Sequence, residues 1–495
     1  MKKINTKILL AILILVTFFS RMYRIDNPIA DWHSWRQSDT ASVTREYVKH
    51  GIDLLRPHYQ DISDLQSGLD NLEGWRMVEF PFINAGVASL IRLNPKLEID
   101  IISRLTSIWF SVGAVMALFY LVKNISGKTV AFYSSLTFAL LPFSVFYGRT
   151  VLPEPAMLFF STTSLLFFQY YLQNKNIRKK IVFYLISLVM LMLALLLKPF
   201  VAFLGPVYLT LALLQYKKNI YKHVELIFFA VAAFIPFYLW REWIKNFPTG
   251  IPASDWLFNS NKIRLRPAWF RWLFYERLTK MILGWWGWLF IVSNLHGLKF
   301  SPKSKAKWLK ETLPEILIYG SWILGILIYL IVIATGNVRH DYYQVLALPI
   351  VSILVGRGIA LMIPHLTKIL NKKAAYIITI IIFALMLKTS WNNVKGFFNV
   401  NHWEYIEAGK IIDAITPPDA KVIAPAFGDT VFLYQTNRTG WPIGFDIDGK
   451  VAKGATYYVS SSYDDEAREV EAKYTPIIKS DKFIIIKLEE PIKEE

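Results

Sequence analysis

The sequence predicts an all-α polytopic membrane domain followed by a small extracytoplasmic α/β domain. Three observations lead there. Of the 495 residues, 54% are hydrophobic and the mean hydropathy is +0.35. Apolar runs of helix length recur through the first 390 residues, and the composition turns polar after about residue 391. A soluble chain of this length divides into domains of mixed composition, so the apolar excess requires lipid.

The chain opens with Met1 to Lys7 and the apolar stretch Ile8 to Phe19, laid out like a signal peptide. Ser20-Arg21-Met22 offers no small-x-small cleavage site, so the stretch is expected to remain as a first membrane helix. It is shorter than the about 20 residues a span requires, so Lys7 and Arg21 are expected to reach out to the headgroups. Further runs lie near 104–122, 129–146, 156–172, 181–197, 200–215, 224–240, 281–295, 313–334, 344–363 and 374–390, about eleven transmembrane helices in all. The first outer loop is long, about 23–100, and contains Pro81 to Leu93, apolar but too short to span, which is expected to lie at the interface. Residues 391–495 contain strand-like segments, Thr456 to Ser460 and Phe483 to Leu488, and a charged helical stretch, Asp464 to Lys473. The expected domains are therefore 1–390 and 391–495.

A net charge of +18 raises the question of nucleic acid, but the basic residues fall in short clusters between apolar runs rather than on one polar domain. They read as topology signals, because Lys and Arg are retained inside during insertion. With a cytoplasmic N-terminus, the inner loops carry Lys123 and Lys128; Lys175, Arg178, Lys179 and Lys180; Lys217, Lys218 and Lys222; Lys299, Lys303, Lys305, Lys307 and Lys310; and Lys368, Lys372 and Lys373. The expected protein is a multi-pass protein of the cell membrane, with the C-terminal domain outside. The chain has no cysteine, which excludes a disulfide framework, a thiolate metal site and a thiol nucleophile.

The same register collects unusual polar residues on the outer face. Asp39 lies in Trp35-Arg36-Gln37-Ser38-Asp39-Thr40, where it is expected at a helix N-terminus; a capping role explains it as readily as a chemical one. Val43 and Tyr47 are expected to share one face of that helix. Glu79 precedes Phe80-Pro81. Glu154 stands between Pro153 and Pro155 at a helix start, where the dipole favours a carboxylate. Arg149 ends the preceding helix and is long enough to snorkel. Lys198 breaks an apolar run before Pro199 with no carboxylate near it in sequence, so its ammonium requires an anion, and phosphate is the obvious one at a membrane surface. Arg339, His340, Tyr342 and Tyr343 add cationic and hydrogen-bonding groups, although an aromatic belt with basic anchors has the same composition. Carboxylates beside cations suit a reaction in which one carboxylate takes a proton from a hydroxyl while cations hold a leaving phosphate.

These segments, namely Arg36 to Pro57, Glu79-Phe80-Pro81, Arg149 to Pro155, Leu197-Lys198-Pro199 and Arg339-His340-Asp341-Tyr342-Tyr343, occur in the order seen in glycosyltransferase family 39. The chain resembles its protein O-mannosyltransferases and the lipid A aminoarabinose transferases over roughly residues 1–390. The resemblance implies the GT-C fold, a polyprenyl-phosphate-linked sugar donor, and an acceptor hydroxyl on a lipid, glycan or protein at the outer face. It implies Asp39 as general base, Glu154 as the acidic residue of the second outer loop, Lys198 as a phosphate contact, Glu79 as a supporting carboxylate, and His340 to Tyr343 near the donor. Thr40 departs from the Asp-Glu pair of many relatives. No cofactor is required; a divalent metal ion is compatible with the carboxylates and His340 but fixed by no spacing. The competing reading is a transporter or flippase of lipid-linked glycan, which would place polar groups near the midplane on broken helices.

Overall fold

The computed structural model describes residues 5–295 and 312–491, which form two compact units. The predicted inner-loop lysines from Lys299 to Lys310 lie outside the described residues. The helical unit comprises Met1–Tyr23, Leu105–Trp240 and Ser254–Gly396. Among the described residues, 7 helical segments of the chain are long and apolar enough to cross a membrane.

The expected apolar runs are helical, with three differences of detail. Runs 104–122 and 129–146 fall largely in one 42-residue helix, Ile99–Leu140, bent where Gly127 takes φ 82°, and the second continues into the short helix Pro142–Tyr147. Run 156–172 lies in the helix Glu154–Gln173, whose Ser161, Thr162, Thr163 and Ser164 are buried. They face neighbouring helices rather than lipid: Ser164 donates to the Ser187 carbonyl at 2.7 Å and accepts from Tyr208 at 2.8 Å. Run 281–295 is not continuous. A π-helical stretch, Arg271–Ile282, is separated from Gly287–Ser293 by Gly284 and Trp285, both at positive φ. A Cβ at Gly284 would sit 2.2 Å from the Met386 carbonyl oxygen, so close helix contact and the turn both require glycine.

Arg21 does not reach out to headgroups. It is fully buried at the end of the helix Thr6–Arg21, donating to the Ala139 carbonyl at 3.0 Å and to Ser144 Oγ at 3.0 Å. A membrane helix too short to expose its terminal charge thus satisfies it on the carbonyls of a neighbour. Elsewhere in this unit Arg357 Nε lies 2.9 Å from Glu315 Oε1, Arg357 Nη1 donates to Asn294 at 2.9 Å, and Ser126, beside the Gly127 bend, donates to Glu315 at 2.5 Å. This network joins the bend to the helices Leu313–Val332 and Leu348–Ile369.

The second unit comprises Arg24–Arg104, Arg241–Ala253 and Phe397–Glu495. Its sheet has the order β2-β1-β3-β5-β4, from β1 (Lys421–Ile423), β2 (Thr439–Trp441), β3 (Ala455–Ser460), β4 (Tyr474–Lys479) and β5 (Ile484–Pro491). The first three are parallel and the last three antiparallel. Alternation along β3 and β5 separates two cores: Tyr457, Val459 and Ile485 face Ile406, Ile412 and Phe432, while Tyr458, Ile484 and Ile486 face Ala467 and Val470. The expected helix is Asp465–Lys473, capped by Asp464. Sequence reading missed β1, β2 and β4, two of which have only three residues.

Residues 24–104, expected to belong with the membrane helices, fold in one unit with the C-terminal segment. Asp61 bridges to Gly440 beside β2, with Ile62 N–H donating to the Gly440 carbonyl and Gly440 N–H to the Gln60 carbonyl, both at 2.9 Å. The interfacial segment is the helix Phe82–Leu93; its Ala88 packs with Val43, Tyr47 and Tyr59, and Leu90 and Leu93 are exposed. Asp61 is buried at the sheet edge. Desolvation pushes its carboxyl up to about 6, against hydrogen bonds from Ser63, with the Asp39 charge adding to the rise and Arg76 opposing it.

Two outcomes follow for stability. Glu315→Ala strands the Arg357 guanidinium and is expected to cost about 3–5 kcal/mol, whereas Glu315→Leu with Arg357→Met recovers most of it. Unfolding in detergent checks this, and equal stability of the single variant and the wild type would contradict it. Because the folded Asp61 carboxyl sits above the ordinary 3.8, its ionised form disfavours the fold. Wild-type stability relative to Asp61→Asn should therefore fall as pH rises from about 4 to 6, by on the order of 3 kcal/mol, and stay reduced above that range. Unfolding midpoints of the two proteins across pH 4–7 give the difference; a flat difference refutes the burial argument.

Candidate active site

The residues singled out in the sequence fall into two clusters, one in each unit. In the second unit the helix Ser34–His50 starts after His33, whose left-handed φ of 57° turns the chain into the helix. Asp39 therefore lies in the second turn, not at the N-terminus, and it is not a backbone cap. It is 1% exposed. Arg76 Nη2 lies 2.8 Å from Asp39 Oδ2, Gln66 Nε2 donates to the same oxygen at 3.1 Å, and Thr430 Oγ1 donates to Oδ1 at 2.8 Å. Arg76 is held in turn by Gln66 Oε1 and lies 5.0 Å over the Tyr59 ring. Three of the roughly four acceptor positions of the carboxylate are thus used. Asp39, Asp61 and Tyr59 line a cavity of about 10 Å³, room for about one water.

Glu79 pairs with Arg36, one turn before Asp39 on the same helix. Arg36 is buried and also lies 3.4 Å from Thr40 Oγ1. The two carboxylates expected from the first loop therefore have separate arginine partners, Arg76 for Asp39 and Arg36 for Glu79. Arg76, Gln66 and Thr430 were missed in the sequence; each is an isolated polar residue whose role depends on a partner far along the chain.

In the helical unit Glu154 opens the helix Glu154–Gln173 as expected, with Pro153 before it and Pro155 in its first turn. Lys198 caps the C-terminal end of the helix Ile177–Leu197, its N–H bonded to the Ala194 carbonyl at 2.9 Å. The fold supplies the anion that sequence proximity did not: Lys198 Nζ lies 3.3 Å from Glu154 Oε1, and both side chains are at least nine-tenths buried. The buried Glu154 Oε2 has no hydrogen-bond partner among the described residues. Lys198 Nζ is also 5.9 Å and 6.0 Å from the ring centres of Tyr342 and Tyr343, within cation–π range. His340 stacks on Tyr342 with centroids 5.3 Å apart.

Arg149 is fully buried with its guanidinium 5.6 Å from the Phe146 ring, so it does not snorkel. Arg339 is exposed and lies over Trp256 at 5.3 Å, the contact of a basic anchor in an aromatic belt. Asp341, quoted in the sequence segment but given no role there, is buried and accepts a hydrogen bond from Tyr147 at 2.5 Å. Beside this segment Arg277 donates to the Asn337 carbonyl at 3.0 Å and the Val338 carbonyl at 2.7 Å. Gln344 donates to Asn337 Oδ1 at 2.9 Å. Among the described residues no group of three or more His, Asp or Glu side chains is arranged to hold a metal ion.

An apolar cavity of about 500 Å³ opens among the helices of this unit. Leu195 and Val201, three residues on either side of Lys198, line it, as do Tyr208, Phe229 and Ile227. A buried cation and an apolar cavity are the parts needed to hold an amphiphile with an anionic head.

Comparison with known proteins agrees with this architecture. The sequence profile of the dolichyl-phosphate-mannose-protein mannosyltransferases matches residues 87–240. No curated protein sequence matches the chain. The fold is similar to ArnT from Cupriavidus metallidurans solved with undecaprenyl phosphate, at 12% identity and TM-score 0.63, over 97% of each chain. It is also similar to the Archaeoglobus fulgidus oligosaccharyltransferase complex with Zn and sulfate, at 12% identity and TM-score 0.57, over 92% of this chain and 68% of that one. AglB from the same organism, with an inhibitory peptide and a dolichol-phosphate, gives 11% identity and TM-score 0.55 over 92% and 69%. The chain is a multi-pass membrane protein with the GT-C glycosyltransferase fold, and its residues 87–240 carry the pattern of the dolichyl-phosphate-mannose-protein mannosyltransferases.

Proposed function

We propose that this protein transfers a sugar from a polyprenyl-phosphate carrier to a hydroxyl of a lipid, glycan or protein at the outer face of the cell membrane. The observation that carries the proposal is the buried Lys198–Glu154 pair, in a helical unit whose apolar cavity of about 500 Å³ is lined by Leu195 and Val201, three residues on either side of Lys198 in the chain. An isoprenoid chain suits the cavity, and its phosphate suits Lys198, where it would compete with Glu154. The ArnT and AglB structures, solved with undecaprenyl phosphate and a dolichol-phosphate, support a donor of this class. The Lys and Arg of the short loops support a cytoplasmic N-terminus and an outer active site.

In the proposed reaction the acceptor hydroxyl attacks the anomeric carbon, a new C–O bond forms, and the bond from that carbon to the phosphate oxygen breaks. Asp39 takes the hydroxyl proton at its fourth acceptor position, and the phosphate leaves with its charge balanced by Lys198. Electrostatic stabilisation of the departing phosphate replaces general acid catalysis, because that leaving group needs little protonation. Arg149, His340, Tyr342 and Tyr343 would shape the donor side, and Arg339 would anchor it. Glu79 would act through Arg36, holding the helix that carries Asp39. A single displacement inverts the anomeric centre. A divalent ion is not needed for this scheme, and chelation with EDTA tests that directly.

The test is transfer of radiolabel from a panel of polyprenyl-phosphate sugars by purified protein in liposomes. Asp39→Asn, which keeps an acceptor for Thr430, is expected to lower transfer by about 10²–10⁴-fold. Near-normal turnover in that variant would remove Asp39 as the base, and label that crosses the bilayer still on its carrier would replace the transferase with a flippase. Lys198→Met is expected to raise the donor KM by at least tenfold while leaving the acceptor KM nearly unchanged. Initial rates at varied donor and acceptor concentration separate the two; an unchanged donor KM contradicts the phosphate contact.

A further inference from the structure

The second unit contains a larger cleft, of about 580 Å³, that the proposed chemistry does not use. That volume lies in the range of small-molecule sites. Part of its wall is aromatic. Trp75 packs against His58 with centroids 4.1 Å apart and against Phe247 at 4.8 Å, yet stays partly exposed, and Tyr47 and Tyr59 also line the cleft.

Acceptors are set into this wall. Glu46 is 6% exposed; its Oε2 lies 3.3 Å from His50 Nε2, and its Oε1 is buried with no hydrogen-bond partner among the described residues. A buried carboxylate oxygen without a donor costs free energy that a ligand donor would recover. His58 Nδ1 lies 2.7 Å from the Glu73 carbonyl oxygen. A carbonyl only accepts, so Nδ1 donates to it, and the other ring nitrogen, Nε2, is left to bond elsewhere. Donors are present as well: Arg56 and Lys421 line the cleft, two cations among the three carboxylates Glu46, Asp53 and Glu73.

Aromatic side chains, a buried acceptor with no donor among the described residues, and charged groups of both signs match a neutral polyhydroxylated ring. A polyanion would meet Glu46, Asp53 and Glu73, and a polycation would meet Arg56 and Lys421. We propose that this cleft is a carbohydrate-binding subsite, formed by Trp75, His58 and Glu46, that takes a neutral pyranose of the acceptor. The assignment of that sugar to the acceptor rests on the proposed transfer reaction; the binding of a sugar does not.

The experiment is saturation-transfer NMR and calorimetric titration of the full chain in lipid nanodiscs free of sugar detergents, with neutral disaccharides (cellobiose, chitobiose and α-mannobiose) as probes. At least one disaccharide is expected to bind saturably, and Glu46→Gln and Trp75→Ala are each expected to weaken it at least fivefold. Glu46→Gln keeps the side-chain shape and carries the test alone if Trp75→Ala does not fold. No saturable binding, or binding indifferent to Glu46→Gln, overturns the subsite. Transfer is assayed on the same preparations. Disaccharide binding with this mutational pattern and no transfer leaves the subsite standing and removes the transferase reading. Transfer without disaccharide binding does the reverse.

Discussion

A charge withdrawn from water must find a partner, and this requirement organises both units. Isolated burial costs several kcal/mol after relaxation, and several buried ions among the described residues are held by a counter-ion or by carbonyls. Arg21 rests on the carbonyls of Ala139 and Ser144, Arg357 on Glu315, and Arg76 on Asp39. Lys198 with Glu154 obeys the same rule in a different setting. The pair joins the end of one helix to the start of another, one carboxylate oxygen has no donor among the described residues, and the Tyr342 and Tyr343 rings lie within cation–π range. Under the proposed function, the pair would exchange partners when a phosphate arrives, so that the lysine retains an anion.

The carboxylate cluster of the second unit is built differently. Asp39 is fixed by an arginine, an amide and a hydroxyl, each drawn from a separate stretch of chain. This holds the side chain in one orientation and leaves a single acceptor position, which is what a base needs if it is to meet one hydroxyl rather than bulk water. Burial also raises the neighbouring Asp61 carboxyl to about 6.

Much of the fold was legible in the sequence, since apolar runs and basic loops report on partition into lipid, which is a local property. Glu154 between two prolines and Lys198 before Pro199 were legible for the same reason: helix ends are written in a few adjacent residues. What was not legible depends on distant contacts. The Thr430 bond to Asp39 spans 391 residues, and the pairing of Asp61 with Gly440 draws the first loop into a sheet whose β2 has only three residues. Asp39 was placed at a helix start because nothing in Trp35 to Ser38 shows that His33 turns left-handed and begins the helix earlier. The break at Gly284 was hidden by an apolar composition that a packed turn and a span share.

Recognition of a lipid-borne phosphate is the central proposal for this protein. The most direct measurement is displacement of a labelled polyprenyl phosphate from the purified wild-type protein by unlabelled polyprenyl phosphate and by the polyprenol of the same chain length. Buried Lys198 should make the phosphate the better competitor by at least tenfold, a preference that weakens little with added salt because the pair is screened from solvent. Equal competition by the alcohol would mean that the protein holds only the hydrocarbon chain, and the central reading of the Lys198–Glu154 pair would fail.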